Sequence, residues 1–347
     1  MYDYKGIAHC HSTYSDGEGT YEEIIEAANR ADLDFLMMTD HHTLKPRDDG
    51  YEGWKGNALV IVGMEISPGD YDHYLAFGID SSFQADGIGE PQKYIDKVRE
   101  AGGLGFLAHP DQSGIDGLKI PSCVWKRWDV SGYTGLGVWD LMTDWEGRCP
   151  DYLRAALQYF LRLSVISGPK AEALRRWDEL NRSGRVVGIG EIDNHAKTLS
   201  FLGLKATVFP YRYAFKSIVN HVLLEGPFER DSAKDTSKLL KALGEGRLYI
   251  SHEYWDEADG FRFWAENSLG RAEIGGTMRL AGKTRLIAEL PGKGKIRLVK
   301  DGAVAEEAEA RELEHTVKES GVFRVEVYQR RRFGPKPWIF SNHIRVV

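Results

Sequence analysis

The 347-residue sequence lacks the features of several protein classes. Its three cysteines, Cys10, Cys123 and Cys149, are too few and too scattered for a disulfide framework or a cysteine-based zinc site. No apolar run approaches the roughly 18 residues that a membrane-spanning helix requires. The first residues lack a basic segment followed by an apolar stretch, so we expect no secretion signal and a location in the reducing cytoplasm.

Positive charge is not in excess either, because 45 Lys and Arg stand against 52 Asp and Glu, a formal net charge of −7. Broad nucleic-acid binding neutralises phosphates with basic side chains, so we do not expect it here. Hydrophobic residues make up 42% of the chain, which is enough to bury a large core. The length suggests about two domains.

Up to about residue 250, short apolar runs alternate with amphipathic segments. Strands are predicted at Tyr4–Ala8, Leu33–Thr39, Ala58–Met64, Gly103–Ala108 and Arg185–Ile189. Helices are predicted at Pro91–Ala101, Tyr152–Leu163 and Ala171–Ser183. The spacing of Thr20 and Glu23 is that of a capping box, which predicts the start of a further helix. Such alternation indicates βα units around a largely parallel sheet, open or closed.

The pattern changes after about Tyr249. Strands are now predicted in succession, at Phe261–Trp264, Arg285–Leu290, Lys295–Val299, Val322–Tyr328 and Trp338–Val346. Turns such as Pro291–Gly294 and Asp301–Gly302 separate them. Short strands with turns between them are typical of a small antiparallel sandwich. We therefore expect an α/β domain over residues 1–250 and an all-β sandwich over residues 251–347.

Histidines and carboxylates recur at the ends of the predicted strands of the α/β domain. His9 and His11 lie on one face of a strand and Cys10 on the other, so the two imidazoles can bind one metal ion. Alone, this pair is as typical of buried structural histidines as of ligands. Later strand ends add Asp40, His41, Glu65, His73, His109, Glu191, Asp193 and His195. Because active sites of parallel α/β folds assemble at these ends, the pattern predicts a metal centre.

The motifs resemble those of the PHP family (polymerase and histidinol phosphatase). In chain order they are His9-x-His11, Asp16-Gly17, Thr39-Asp40-His41, Glu65, His73, Ala108-His109-Pro110 and Asp193-x-His195. The resemblance covers roughly residues 5–200. It implies a distorted (β/α)7 barrel that carries two or three divalent ions, Mn, Zn, Fe or Mg, at its strand ends. It also implies phosphoesterase activity and the β-sandwich that one bacterial branch of the family appends.

The resemblance further implies a ligand set. His9, His11, Glu65 and Asp193 would bind the first metal. Glu65 would bridge to a second metal, bound also by His73 and His109, and a third would be bound by Asp16, His41 and His195. The family often has Asp or Asn where this chain has His42. We expect His42 to be a further ligand, a proton donor or a residue behind the ligands, and a packed or exposed histidine is equally consistent.

This set suits phosphoryl chemistry. Three divalent ions with Glu65, Asp193 and Asp16 as anionic ligands would leave a net charge of about +3, which attracts a dianionic phosphate. We expect a metal-dependent phosphoesterase that cleaves phosphate monoesters of small molecules, nucleotides or short oligonucleotide ends with metal-activated hydroxide. Asp193 and Glu65 would be central to catalysis, and Asp40 would orient a ligand imidazole. Besides His42 and a metal-bound water, no acid for the leaving group is indicated.

Three alternatives remain open. The first is a histidinol-phosphatase-like enzyme, although the added sandwich does not follow from that activity. The second is an amidohydrolase-type hydrolase, but those barrels often bridge their metals with a modified lysine, whereas Glu65 takes that role here by resemblance. The third is a barrel that binds a ligand without catalysis. The complete ligand set disfavours this last hypothesis, because inactive members would be expected to lose ligands.

Overall fold

The computed structural model has a mixed α/β fold. It describes residues 1–69, 71–83, 90–116, 120–149, 166–201, 204–332 and 334–347, with Arg154, Leu161 and Ser164. The predicted helix at Tyr152–Leu163 lies outside these residues except for Arg154 and Leu161. Among the described helices, none is long and apolar enough to cross a membrane.

The N-terminal strands form one end of a large sheet. They are Tyr2–Ala8 (β1), Phe35–Met38 (β2), Gly53–Lys55 (β3) and Ala58–Val62 (β4). Strands β1, β2 and β4 pair in parallel, as the βα pattern predicts. Helix Tyr21–Arg30 (α1) connects β1 to β2, and a short helix, Lys45–Asp48 (α2), follows β2. The predicted capping box is confirmed, because Thr20 and Glu23 each bond the other's backbone N–H at the start of α1.

A second sheet carries the next five strands. They are Met64–Ile66 (β5), Tyr74–Phe77 (β6), Leu104–Leu107 (β7), Gly135–Asp140 (β8) and Val187–Glu191 (β9), in this spatial order. Strands β7, β8 and β9 are parallel, whereas β6 is antiparallel to both neighbours. The accompanying helices are Pro91–Glu100 (α3), Leu141–Glu146 (α4) and Ala171–Ser183 (α5). The predicted single strand at Ala58–Met64 is therefore divided between the two sheets.

Further elements extend the first sheet on the other side of β1. After the hairpin Thr198–Phe201 (β10) and Leu204–Thr207 (β11) come Tyr211–Ala214 (α6), Ile218–Leu224 (β12), Ser232–Gly244 (α7) and Leu248–His252 (β13). Strand β12 pairs antiparallel with β1, and β13 pairs antiparallel with β12. The two sheets meet through isolated bridges, Cys10 with Asn194 and His41 with Glu65. Among the described residues, no continuous strand pairing joins the two sheets, and the seven-stranded barrel stays a prediction.

The C-terminal segment is built from antiparallel strands with one short parallel pair. They are Arg262–Asn267 (β14), Gly270–Glu273 (β15), Thr277–Met278 (β16), Thr284–Lys300 (β17), Ala303–Val317 (β18), Gly321–Arg331 (β19), Gly334–Ser341 (β20) and Ile344–Val346 (β21). They enclose a second hydrophobic core, with Phe263, Leu298 and Val325 among its buried members, and Leu223 of β12 and Tyr249 of β13 also belong to it. Strand β20 also pairs with β13, so the large sheet runs on into this segment. The division at residue 250 and the sandwich stay predictions.

One predicted turn is wrong. Strand β17 runs through Pro291–Gly294 instead of ending there, and its pairing with β18 only shifts register between Glu289 and Gly294. The irregularity absorbs the proline and the glycines while the long ladder with β18 continues on both sides. Proline and glycine are typical of both turns and bulges. Pairing with the partner strand determines which of the two forms.

Two asparagines complete the hydrogen bonding of β9. This strand pairs with β8 on one side only, which leaves backbone groups on its other side without a strand partner. The amide of Asn220 accepts from Gly190 N–H and donates to Gly190 C=O, both at 2.8 Å, and Asn342 does the same for Gly188. Gly190 must be glycine, since a Cβ there would lie 2.5 Å from Ile218 of β12. The asparagines thus stand in for a neighbouring strand.

Replacing Asn220 tests whether its hydrogen bonds to β9 stabilise the fold. Asn220→Ala leaves the N–H and C=O of Gly190 buried without partners, so we expect a loss of about 2–4 kcal/mol in the free energy of unfolding. Urea denaturation followed by circular dichroism measures it. Asn57→Ala, at an exposed asparagine, is the matched control and should change stability by less than about 0.5 kcal/mol. Equal stability of the two variants would contradict the role of Asn220.

Candidate metal centre

The side chains predicted as metal ligands lie together at the strand ends. Their ligand atoms form three groups, within each of which the atoms lie no more than 4.8 Å apart. The groups are His9, His11, Glu65 and Asp193; Glu65, His73 and His109; and His11, Asp16, His41 and His195. Glu65 belongs to two groups, as the resemblance implies. The structure adds His11 to the third group, a position that the resemblance does not assign to it.

Glu65, in β5, lies at the centre of the cluster and is 1% exposed. Its two oxygens lie 2.8–3.3 Å from ring nitrogens of five histidines, which are His9, His11, His41, His73 and His109. Burial by itself would raise the pKa of Glu65. The neighbouring imidazoles outweigh burial and hold that pKa well below its ordinary value. Glu65 is thus an anion although it is fully buried.

The first group has the spacing of ligands around one ion. His9 Nε2 and His11 Nε2 lie 3.0 Å apart, and Asp193 Oδ1 lies 3.1 Å and 3.2 Å from them. Adjacent ligands of an octahedral ion at about 2.1 Å lie about 3.0 Å apart. Two imidazole nitrogens that face each other this closely need a cation or a proton between them. The donor atoms therefore fit a divalent cation.

Asp16 is the central residue of the third group, at the more open end of the cluster. Its Oδ1 lies 3.1 Å from His195 Nε2, 3.5 Å from His41 Nε2 and 3.8 Å from His11 Nδ1. Burial would raise the pKa of Asp16, but the hydrogen bond and charge of His195, with the charges of the other two histidines, lower it far below its ordinary value. The Asp16 side chain is half-exposed, so this group opens toward solvent.

Asp40 orders the loop between His11 and Asp16. Its carboxylate accepts hydrogen bonds from the backbone N–H and the hydroxyl of Ser12 and from the hydroxyl of Ser15, at 2.7–3.0 Å. These donors occupy the carboxylate, and no contact with an imidazole is seen among the described residues. The structure therefore gives Asp40 a loop-positioning role, whereas the sequence predicts that it orients a ligand imidazole.

His42 lies outside the three donor groups and does not line the cavity described below. Its Nε2 lies 3.0 Å from the carbonyl oxygen of Ser67, and the Ser67 hydroxyl lies 2.8 Å from Nδ1 of His41. His42 therefore contacts the residue that positions His41. The structure does not bring His42 to the reacting end of the site.

Glu191, the last residue of β9, is a functional candidate that the sequence analysis left without a role. It is fully buried, its Oε2 accepts from His109 N–H at 2.8 Å, and the same oxygen lies 3.4 Å from His9 Nδ1. A Cβ on Gly137 would lie 2.2 Å from Glu191 Oε1, so β8 needs glycine opposite this carboxylate. Its position at a strand end, two residues before Asp193, was the only signal in the sequence.

Backbone strain is concentrated at the cluster. His9, His109 and Asp193 have positive φ angles of 67°, 28° and 42°, in the region that favours glycine. Such conformations cost about 1–3 kcal/mol each and persist where the surroundings enforce them. At each position the bend follows a strand end and turns the side chain toward its neighbours. The strain is thus part of how the site is assembled.

A cavity of about 340 Å³ opens onto the cluster. The candidate ligands that line it are Asp16, His41, Glu65, His73, His109, Asp193 and His195. Its other walls include Gln112, Glu146 and Lys197, none of which the sequence analysis singled out. They lie on loops and on the end of α4, where no motif marks them.

Comparison with known proteins bears on the N-terminal half of this site. Residues 8–76 match the family model of the PHP domain. The resemblance to the PHP family is confirmed. The matched segment contains the candidate ligands from His9 to His73, and the remaining ligands, His109, Asp193 and His195, follow it in the chain.

A curated relative and two solved structures are also similar to this chain. The chain is 31% identical over 83 residues to the phosphoribosyl 1,2-cyclic phosphate 1,2-diphosphodiesterase of Eggerthella lenta. The aligned residues make up 22% of this chain and 32% of that protein. One solved structure is a two-domain protein of Bacteroides vulgatus, described as containing a predicted PHP-like metal-dependent phosphoesterase. It is 15% identical to this chain, the alignment covers 98% of this chain and 95% of that protein, and the TM-score is 0.46. The other is PsfC of Pseudomonas syringae, which is 12% identical to this chain. The alignment covers 68% of this chain and 88% of PsfC, with a TM-score of 0.38. The chain thus spans about a third of the curated relative, and both TM-scores are low.

Replacing Glu191 tests its role behind the ligands. Glu191→Gln weakens the carboxylate contact with His9, so we expect Mn²⁺ affinity to fall about 10–100-fold while the fold is kept. Isothermal titration calorimetry of the chelator-treated protein measures the affinity. The matched control is Glu26→Gln, at an exposed glutamate of α1, which should bind Mn²⁺ as the unaltered protein does. An unchanged affinity of the Glu191→Gln variant would contradict this role.

Proposed function

We propose that the chain is a metal-dependent phosphoesterase that hydrolyses phosphate monoesters of small molecules, nucleotides or short oligonucleotide ends. The observation that carries this proposal is the position of Glu65 in two donor groups at the base of one cavity. Its Oε2 faces His9 and His11. Its Oε1 faces His73 and His109. A shared carboxylate would hold two cations close together, and two cations so placed would stabilise both the attacking and the leaving oxygen of an in-line displacement.

The donor chemistry supports divalent ions of the Mn, Zn, Fe or Mg type. Imidazole and carboxylate groups make up all three groups, and no thiolate belongs to them. Three ions held by the carboxylates of Glu65, Asp193 and Asp16 would leave a surplus of about three positive charges. Such ions polarise phosphoryl oxygens and lower the pKa of water when bound. A dianionic monoester is the substrate that this surplus attracts most strongly.

The residues around the cluster would guide and orient the ester. Lys197 lines the cavity, and its ammonium lies 3.8 Å from Asp16 Oδ2 at the more open end. A cation in that place attracts an entering phosphate. Asp40 keeps the loop with Asp16 in position, and Glu191 keeps His9 and the backbone of His109 in position. The site is thereby preorganised before substrate binds.

The architecture is part of the proposal. The bridges between Cys10 and Asn194 and between His41 and Glu65 support a distorted barrel in which both sheets contribute strand ends to one site. We place this barrel in residues 1–250 and a β-sandwich in residues 251–347. The hydrophobic core of the C-terminal strands, which takes in only Leu223 and Tyr249 from the described part of residues 1–250, supports the division.

A phosphodiester is the second substrate class to test. The curated relative is named for a cyclic phosphate diester, and it is 31% identical to this chain over 83 residues. An amidohydrolase reaction has less support, because Glu65 takes the position shared by two donor groups, where those enzymes often have a modified lysine. A binding protein without catalysis would not need the close metal pair.

Phosphate release from a panel of substrates tests the proposal. The panel holds 4-nitrophenyl phosphate, alkyl phosphates, nucleoside monophosphates, a 5′-phosphorylated trinucleotide and bis(4-nitrophenyl) phosphate. We expect turnover of monoesters that requires Mn²⁺ and stops with chelator, since the ions supply the Lewis acid. Asp193→Asn removes a ligand charge and should lower kcat/KM by more than about 100-fold.

The Glu26→Gln variant is the control for this panel and should keep the activity of the unaltered protein. Absence of any turnover with metal bound, or full activity of the Asp193→Asn variant, would contradict the proposal. Turnover of the diester without turnover of monoesters would overturn the monoester assignment and favour the second class.

A further inference from the structure

Glu146 is a buried acid in the wall of the cavity. It is the last residue of α4, is 5% exposed and lines the cavity beside Gln112 and Met142. It belongs to none of the three donor groups found among the described residues. Of the described residues that line the cavity, Glu146 is the sole carboxyl outside those groups. It is therefore available to a substrate rather than to a metal.

The two oxygens of Glu146 have different surroundings. Gln112 Nε2 donates to Oε1 at 3.1 Å, whereas Oε2 has no hydrogen-bond partner among the described residues. A buried polar atom without a partner costs about 1–3 kcal/mol, so Oε2 is suited to pair with a molecule that enters the cavity. The hydrogen bond to Oε1 thus fixes the Glu146 carboxyl group, and Oε2 is left to bind a ligand.

Gln112 is itself fixed next to the cluster. Its backbone N–H donates to the carbonyl of His109 at 2.9 Å, and its own carbonyl accepts from Cys123 N–H at 2.9 Å. Asp140 caps the start of α4 by accepting from Thr143 N–H at 2.6 Å. The loop that carries a candidate ligand and the helix that carries Glu146 are therefore held together. Glu146 is thus linked through Gln112 to the loop that carries His109.

Glu146 has the protonation that an acid requires. Burial, and next the charges of Asp140 and Asp193, raise the pKa of its carboxyl to about 7. The hydrogen bond from Gln112 and the charge of His109 act in the opposite direction. A general acid works best with a pKa near the working pH.

Among the described residues that line the cavity, Glu146 is the one carboxyl outside the donor groups that can carry a proton. The sequence indicated His42 or a water as the acid for the leaving group, and His42 is not among the residues that line the cavity. An alkyl phosphate needs such a donor, because the alkoxide that leaves is a strong base. Resting on the proposed function, we propose that Glu146 is the catalytic residue that protonates the leaving alcohol.

The step balances without any further reactant. The oxygen of a water molecule forms a bond to phosphorus, the ester P–O bond breaks, and its electron pair stays with the leaving oxygen. The proton on Glu146 Oε2 passes to that oxygen and yields the alcohol. The attacking water keeps one proton in the hydrogen phosphate, and its other proton restores the Glu146 carboxyl.

Comparing two esters with different leaving groups tests this role. Glu146→Gln keeps the shape and the bond to Gln112 but has no acidic proton. We expect kcat to fall about 100–10,000-fold for ethyl phosphate, which is the effect of losing a general acid. For 4-nitrophenyl phosphate, whose leaving group needs no proton, we expect less than about a 3-fold change. That second activity and the bound Mn²⁺ also show that the variant folds.

Two further variants sharpen the comparison. Glu146→Asp restores a carboxyl and should recover part of the ethyl phosphate activity, and Glu26→Gln should change neither activity. Equal losses for both esters, or no loss for ethyl phosphate, would overturn the role of Glu146. If the unaltered protein with bound Mn²⁺ cleaves neither ester, the phosphoesterase proposal itself fails, and the role of Glu146 fails with it.

Discussion

The candidate site depends on one buried anion, the carboxylate of Glu65 among five imidazoles. A buried carboxylate is stable only when charge and hydrogen bonds compensate for lost solvation. The imidazoles that compensate come from the ends of separate strands in both sheets, so the fold has to close around this residue. The same arrangement places donor atoms at the separations of ligands around a cation. Fold and metal chemistry therefore impose the same geometry on these side chains.

The surrounding structure keeps that geometry. Strand β9 has a partner strand on one side only, and the amides of Asn220 and Asn342 complete its other side. It can then hold Glu191 behind His9 and carry Asp193 in a strained backbone conformation. Much of the site's precision thus comes from residues that touch no substrate. They are polar and buried, and their hydrogen bonds fix the strand ends and ligands that they contact.

The sequence was most informative where chemistry and strand ends coincide. Residues from His9 to His195 could be predicted as one cluster because strand ends of an α/β fold converge. The roles of residues that position the ligands could not be predicted, because these roles depend on which loop each side chain faces. Asp40 binds the Ser12 loop instead of an imidazole. In β18, alanines and glutamates give no apolar alternation, and pairing with β17 is what makes this segment a strand.

The most direct test of the account is a crystal structure of the Mn²⁺-loaded protein with anomalous diffraction data collected at the manganese edge. The central claim is that Glu65 is shared between two metal ions. It predicts one anomalous peak among His9, His11, Glu65 and Asp193 and a second beside His73 and His109, with a carboxylate oxygen of Glu65 directed at each. Anomalous peaks elsewhere only, or a cluster in which protons alone separate the imidazoles from the carboxylates, would contradict it.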